Sequence, residues 1–363
     1  MNPSILKKLF IIGQPISPIY SLLMKLRRAA YLNDFLQSKR LEGFTISIGN
    51  ITLGGTGKSP HVIEIANFFK KKGEKVAILS RGYGGKAGKG PIVVNDSQGK
   101  IITPCKICGD EPYMFAQKLK NVPVIVGADR YRSGVLAQKE FNTTVFILDD
   151  GFQHLKLKRE LDIVLISATS LFGNKKVFPG GELREDIRAL SNASAIIITK
   201  TNEVSSLKIQ EIKTLLRKIV HKKPIFLSSY KAKSIYLPIK CKNLKIKENE
   251  YNAFVFCALA DPNSFYNLLK QNGIKIAGFM EFRDHYFYKS KDLEKIYKAA
   301  QKSKAKLILT TEKDLAKINL FKWKDIDPSG NLGVLILSTQ IETSFWAFLE
   351  HSFLKYKTQR HGN

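Results

Sequence analysis

Short unbroken apolar runs alternate along most of the chain with longer stretches in which apolar residues return every three or four positions. The first kind reads as buried strands and the second as helices lying on them. Strands are predicted at 44–49, 75–80, 122–127, 143–149, 162–167 and 195–200, and helices at 58–72, 110–120, 131–141 and 205–220. That alternation predicts an α/β fold built on a doubly wound, mostly parallel sheet. Two strand-like pieces, Pro224–Tyr230 and Ser234–Leu237, then read as a two-stranded connector. A second, smaller α/β cycle follows, with strands at 253–259, 274–281, 306–310 and 332–337 and helices at 263–271 and 290–302. The expected division is an N-terminal segment at 1–40, a first domain at 41–228 and a smaller one at 229–363 closing over the site.

The loop after the first strand gives the larger domain a chemistry. Ile48 to Pro60 reads Ile-Gly-Asn-Ile-Thr-Leu-Gly-Gly-Thr-Gly-Lys-Ser-Pro, and Val62, Ile65, Ala66 and Phe69 continue it at helical spacing. Strand, glycine-rich loop and helix in that order form a phosphate cradle, a P-loop of the NTPase type. Gly54, Gly55, Thr56 and Gly57 would turn backbone N–H groups toward phosphate, Lys58 would reach the outer phosphates, and the Ser59 hydroxyl would sit on Mg²⁺. Thr52 stands where the strict pattern has a glycine, so the loop is a variant. A nucleoside triphosphate is the expected ligand.

Charge narrows the partners. Among 363 residues, 59 Lys and Arg face 31 Asp and Glu, a net charge of +28. Polyanions, an anionic membrane surface or a phosphorylated substrate suit that excess, and so does a generally lysine-rich composition. No recognised nucleic-acid motif accompanies it, and nucleic acid is not expected. Cys105 and Cys108 have CxxC spacing without a second pair to complete a zinc site, so reduced thiols are expected. Residues 9–24 are apolar but broken by Gln14, Pro15 and Pro18, with Lys7 and Lys8 before them and Lys25, Arg27 and Arg28 after. That is short of the roughly 20 apolar residues a spanning helix needs. An element lying in the membrane interface fits, as does a helix docked on the domain itself.

Further polar clusters sit where strands end. Asp149-Asp150-Gly151-Phe152-Gln153-His154 follows a buried strand, the usual place for the carboxylates of a magnesium site. Ser80-Arg81-Gly82-Tyr83 follows another strand and supplies a cation. Asp110 opens a helix, where a capping role suits it. Arg184 lies near a further helix start, as a phosphate clamp or a surface ion pair. His285 lies in a polar loop expected to face the cleft, where it is either solvated or catalytic.

Together these pieces resemble the tetraacyldisaccharide 4′-kinases, the lipid A 4′-kinases of Gram-negative bacteria. The Gly-Gly-Thr-Gly-Lys-Ser loop, Ser80–Gly84, Gly109-Asp110-Glu111-Pro112, Ala128–Tyr131, Asp149–His154, Leu183-Arg184-Glu185, Asp284-His285 and Thr311-Glu312-Lys313-Asp314 occur in family order. The resemblance implies transfer of the ATP γ-phosphoryl group to the 4′-hydroxyl of a lipid A disaccharide 1-phosphate, by a monomer at the cytoplasmic face of the inner membrane. It implies that Lys58 and Ser59 bind phosphate and Mg²⁺, that Asp149 and Asp150 are active-site and metal carboxylates, and that Glu185 assists the metal. Asp110 matches the family's catalytic base and His285 its helper, while Arg81, Gln153, His154 and Arg184 match positions that line the substrate site. Ser59 replaces the commoner Thr, and Phe178–Glu182 is more polar than usual.

Two rival readings have opposing residues. A membrane-associated P-loop ATPase switch would carry a lysine where Leu53 stands. A GTPase would carry an Asp in Thr199-Lys200-Thr201-Asn202, where Asn202 stands instead.

Overall fold

The computed structural model describes residues 9–86, 88, 90–96, 98–246 and 251–361. Lys7 and Lys8 of the expected basic flank lie outside them. Helix α1 (Ser17–Leu32) precedes the first-lobe elements: β1 (Phe44–Gly49), α2 (Lys58–Lys71), β2 (Val76–Ser80), β3 (Ile92–Val93), α3 (Asp110–Lys118), β4 (Val124–Val126), α4 (Arg130–Phe141), β5 (Val145–Asp149), β6 (Leu161–Ser167), β7 (Ala195–Thr199) and α5 (Ser206–Val220). The chain continues through β8 (Ile225–Leu237), β9 (Lys242–Leu244), β10 (Asn252–Cys257), α6 (Pro262–Gln271), β11 (Lys275–Glu281), α7 (Ser290–Lys302), β12 (Leu307–Thr311), α8 (Leu320–Ile326), β13 (Leu332–Ile341) and α9 (Thr343–His361).

Among the described residues the strands form one sheet in the order β11-β10-β12-β13-β8-β7-β6-β1-β5-β2-β4-β3, with β9 beside β8. The first lobe is the parallel part, with the antiparallel β3 at its edge. β1 and β5 are buried throughout because helices cover both faces, which is why they read as unbroken apolar runs. Val62, Ile65 and Phe69 of α2 and Phe115 of α3 pack on one face. Ala137 of α4 and Ile212 and Leu216 of α5 pack on the other. In the second lobe α6 lies on one face and α7 and α8 on the opposite one, the latter around fully buried Trp323.

The expected connector takes a different form. Its two pieces are one continuous strand, β8, which pairs with β7 through Leu227 and with β13 from Ser228 onward. Burial alternates along its second half, so Lys231 and Lys233 face outward and interrupt the apolar run without interrupting the strand. Residues 343–361, for which no element was predicted and which fall in the stretch 229–363 assigned to the smaller domain, form helix α9, which returns to the first lobe. Phe345, Leu349 and Phe353 recur at a spacing of four and pack beside Phe44 and Phe69.

Helix α1 docks and stays exposed at once. On one side Ser17 Oγ donates to Val177 O at 2.5 Å, Lys25 meets Asp186 at 2.9 Å, and buried Arg28 grips Glu185. Ile19, Leu23 and Leu26, continued before the helix by Ile16 and Ile12, form an exposed apolar stripe on the other. No helix among the described residues is long and apolar enough to cross a membrane.

Candidate active site

Strand order brings the phosphate loop and the acidic pair together. β1 and β5 are neighbours, and Ile48 pairs with Asp149, so both strands end at the same rim. Gly49 is required there, because a Cβ would fall 2.6 Å from that of Phe152. From this rim opens a cleft of about 1580 Å³, lined by residues 53–60, Arg81, Glu111, Asp149, Asp150, Gln153, His154, Arg184 and His285, and by Tyr20, Met24 and Arg27 of α1.

The paired aspartates diverge, as side chains of adjacent residues must. Asp149 is buried and accepts from Ser80 Oγ at 2.9 Å through Oδ2. Burial first, then the charges of Glu111 and Asp150, push its pKa up to about 7 against the pull of Lys58 and Ser80. Asp150, at φ +52°, turns to Arg184 at 2.7 Å and Lys58 at 3.5 Å. Burial opposes its ionisation as well, yet Lys58 and Arg184 outweigh that and hold its carboxyl below the usual range. Asn50 Oδ1 accepts from Lys58 Nζ at 3.3 Å, and Asn50 O accepts from the Gln153 amide at 2.9 Å.

Ser59 Oγ donates to Glu111 Oε1 at 3.0 Å. A hydroxyl, Glu111 and the partnerless Oδ1 of buried Asp149 form a hard oxygen donor set that fits Mg²⁺. Among the described residues no three acidic, His or Cys side chains gather as a closed cage, and magnesium beside phosphates completes its shell with water and phosphate oxygens. Glu185 is not part of this group. Arg28 takes both its oxygens, with Nε on Oε2 and Nη2 on Oε1 at 2.9 Å each, so the expected metal helper is a buried ion-pair partner instead.

Across the cleft, the second lobe meets Asp110. His285 Nδ1 lies 3.0 and 2.9 Å from its two carboxylate oxygens. His285 takes φ +60°, a conformation unusual for a side-chain-bearing residue, and its ring stands 5.2 Å from that of Tyr83. Asp110 is 2% exposed, whereas the imidazole lines the cleft. Lys313 and Lys317 each approach Asp110 Oδ2 at 3.8 Å. Burial raises the Asp110 pKa, but the His285 hydrogen bond and the lysine charges overcome it and hold the carboxyl below its ordinary value. Gly109, not Asp110, is the N-cap of α3, so the capping role expected from position alone does not apply.

The remaining wall is cationic: Arg81, Arg130, Lys156 and Arg184 line it with His154. Burial and the charges of Arg130 and Arg159 lower the His154 pKa to about 4, leaving a neutral ring whose Nε2 has no partner. Reading the sequence missed Glu111, Arg130, Lys313 and Lys317 as site residues. The first three stand inside motifs already singled out, and Lys317 lies one helical turn beyond Lys313. Cys105 and Cys108 are free, with thiols pushed up by burial to about 12 and about 11, so neither is a reactive thiolate.

A family model described as Tetraacyldisaccharide-1-P 4′-kinase matches residues 9–354. The Tetraacyldisaccharide 4′-kinase of Desulfotalea psychrophila is 39% identical over 313 residues, spanning 86% of this chain and 89% of its own. Its counterpart in Halothermothrix orenii is 36% identical over 338 residues, spanning 88% and 86%. The "apo" form of LpxK from Aquifex aeolicus, solved in complex with ATP, superposes with a TM-score of 0.73 at 31% identity and covers 93% of this chain and 98% of that one. With the family model matched over nearly the whole chain, this protein belongs to the tetraacyldisaccharide-1-P 4′-kinase family.

Proposed function

We propose that this protein transfers the γ-phosphoryl group of ATP to the 4′-hydroxyl of a tetraacyldisaccharide 1-phosphate, at the cytoplasmic face of the inner membrane. One observation carries the reading: a single cleft holds the phosphate loop, the His285–Asp110 pair and the inner face of an α1 helix whose outer face is apolar. A lipid acceptor explains all three.

A sugar hydroxyl is a poor nucleophile until a base takes its proton. The resemblance made Asp110 the base and His285 its helper; because Asp110 is buried and only the imidazole lines the cleft, we assign the roles the other way, with Asp110 fixing Nδ1–H and the His285 Nε2 accepting that proton. This is the logic of a carboxylate-oriented histidine. Lys58 and Arg184 offset negative charge spreading over the transferred group. Asp150 holds both cations in place before substrate arrives. Ser59, Glu111 and Asp149 would hold Mg²⁺, which supplies charge neutralisation at the β- and γ-phosphates. Arg81, Arg130, Gln153 and His154 would contact the acceptor.

Phosphate transfer from γ-labelled ATP to the acyl disaccharide 1-phosphate in mixed micelles tests this directly. Label released as inorganic phosphate at the same rate with and without lipid would establish the switch instead. Lys58→Ala should lower single-turnover transfer by about 10²- to 10³-fold, because the lost charge acts mainly in the transition state. A change below about threefold would remove Lys58 from that role.

Membrane attachment belongs to the exposed stripe. Each large apolar side chain is worth about 1.5–3 kcal/mol when fully buried. Changing Ile16, Ile19, Leu23 and Leu26 together to Asn should therefore cut co-sedimentation with anionic liposomes by about a hundredfold or more. Thermal stability should hold, since these residues are exposed. Undiminished liposome binding would show that another surface holds the membrane.

A further inference from the structure

The phosphate loop is held by buried His61, Thr199 and Ser228 behind it and by Tyr230, which also lines the cleft. Thr199 Oγ1 donates to Thr56 O at 2.9 Å. Gly57 O accepts from Tyr230 Oη at 3.3 Å and faces His61 Nδ1 at 2.8 Å. A carbonyl can only accept, so Nδ1 carries the hydrogen. Nε2 then accepts from Ser228 Oγ, 2.9 Å away. Burial keeps this fully enclosed ring neutral, lowering its pKa to about 4. Ser228 is also the residue at which β8 passes from β7 to β13.

A trans peptide points its C=O and N–H in opposite directions. Fixing Gly57 O away from the cleft therefore fixes Lys58 N–H toward it. Gly57 is the N-cap of α2, so its carbonyl already accepts the first backbone bond of that helix; the two side chains reinforce this hold at a residue whose φ of +79° leaves glycine's weak resistance to a flip as the softest point of the loop. A flipped carbonyl would face the phosphates and repel them. No side chain fits at Gly57, where a Cβ would lie 1.7 Å from Tyr230 Oη.

We propose that His61 and Tyr230 are positioning residues for the nucleotide: they lock the Gly57–Lys58 peptide with its N–H toward the phosphates. His61 further ties that lock to the point where β8 crosses between lobes. The proposal rests on the nucleotide reading given above.

The test measures binding of a fluorescent ADP analogue with Mg²⁺ to the full chain, alongside KM for ATP and for the acyl disaccharide. An Asn amide places its N–H near the imidazole Nδ1 position and a Gln amide near Nε2, so the two variants separate the contacts. His61→Gln and Tyr230→Phe should each weaken analogue binding roughly three- to tenfold, the value of one lost hydrogen bond. KM for ATP should rise in step, with KM for the disaccharide within about twofold. His61→Asn should recover most of the affinity. Unchanged analogue binding in both His61→Gln and Tyr230→Phe would overturn the proposal, as would a loss that His61→Asn fails to recover or one shared equally by the disaccharide KM. Should His61→Gln unfold, Tyr230→Phe, which removes a single hydroxyl, decides the matter. Wild-type protein that binds no analogue would remove the nucleotide reading itself, and this proposal with it.

Discussion

Replacing Asp110 with alanine is expected to lower kcat by about 10²- to 10⁴-fold while nucleotide affinity stays within about twofold. The carboxylate is buried and touches His285 with both oxygens, so its removal frees the imidazole to change tautomer and orientation. It also removes one of the acids near Lys313 and buried Lys317, which keep Glu111 and Asp284, and Asp314, respectively. His285→Ala should cost about as much. The double variant should be little worse than either single one, because residues acting as a unit are strongly non-additive. Multiplied losses in the double variant would mean that Asp110 and His285 act separately. An unaltered kcat in Asp110→Ala would remove the pair from the chemistry. Stability carries a second signature. Asp110 titrates below its ordinary 3.8 in the folded chain. A depressed carboxylate stabilises the fold above its unfolded pKa, and that share is lost as pH falls through the folded value. Asp110→Asn should therefore show a shallower loss of stability below about pH 4 in acid titrations followed by circular dichroism.

The sequence made visible what lies close along the chain. Strand, loop and helix around Lys58 are contiguous, and Asp149 ends a strand whose apolar run is unbroken, so the phosphate loop and the acidic rim were both readable. Asp110 and His285 are 175 positions apart. Position alone read the first as a helix cap and left the second open, and only resemblance to a family joined them. Glu111 was overlooked beside Asp110 because an acid in a helix's first turn has an ordinary electrostatic reason to be there. Lys317 has no local signal at all; its burial follows from how the second lobe packs. β8 was divided because outward lysines look like a break to any reading based on hydrophobicity. Helix α9 did carry its signal in Phe345, Leu349 and Phe353, but which lobe it covers is a tertiary fact.

Glu185→Ala is expected to destabilise the protein by about 3–5 kcal/mol, because it strands the Arg28 guanidinium in a buried site. The family resemblance made Glu185 a helper of the metal; in the fold its partner lies 157 residues away on α1. Arg28 also stacks 4.7 Å from the Phe152 ring, directly behind the acidic rim. The pair thus fastens the helix bearing the apolar stripe to the loop that carries Gln153 and His154. If that is its work, the loss should appear as a lower unfolding temperature and weaker liposome binding, with the Mg²⁺ dependence of transfer unmoved. Arg28→Met combined with Glu185→Leu should recover much of the stability, since a buried ion pair is commonly replaceable by apolar groups of similar volume. Glu185→Ala protein of normal stability that requires much more Mg²⁺ would return Glu185 to the metal. On the membrane reading proposed above, the pair's value lies in orientation: an apolar stripe that meets the membrane serves a lipid kinase only while it holds a fixed angle to the cleft where the acceptor must enter.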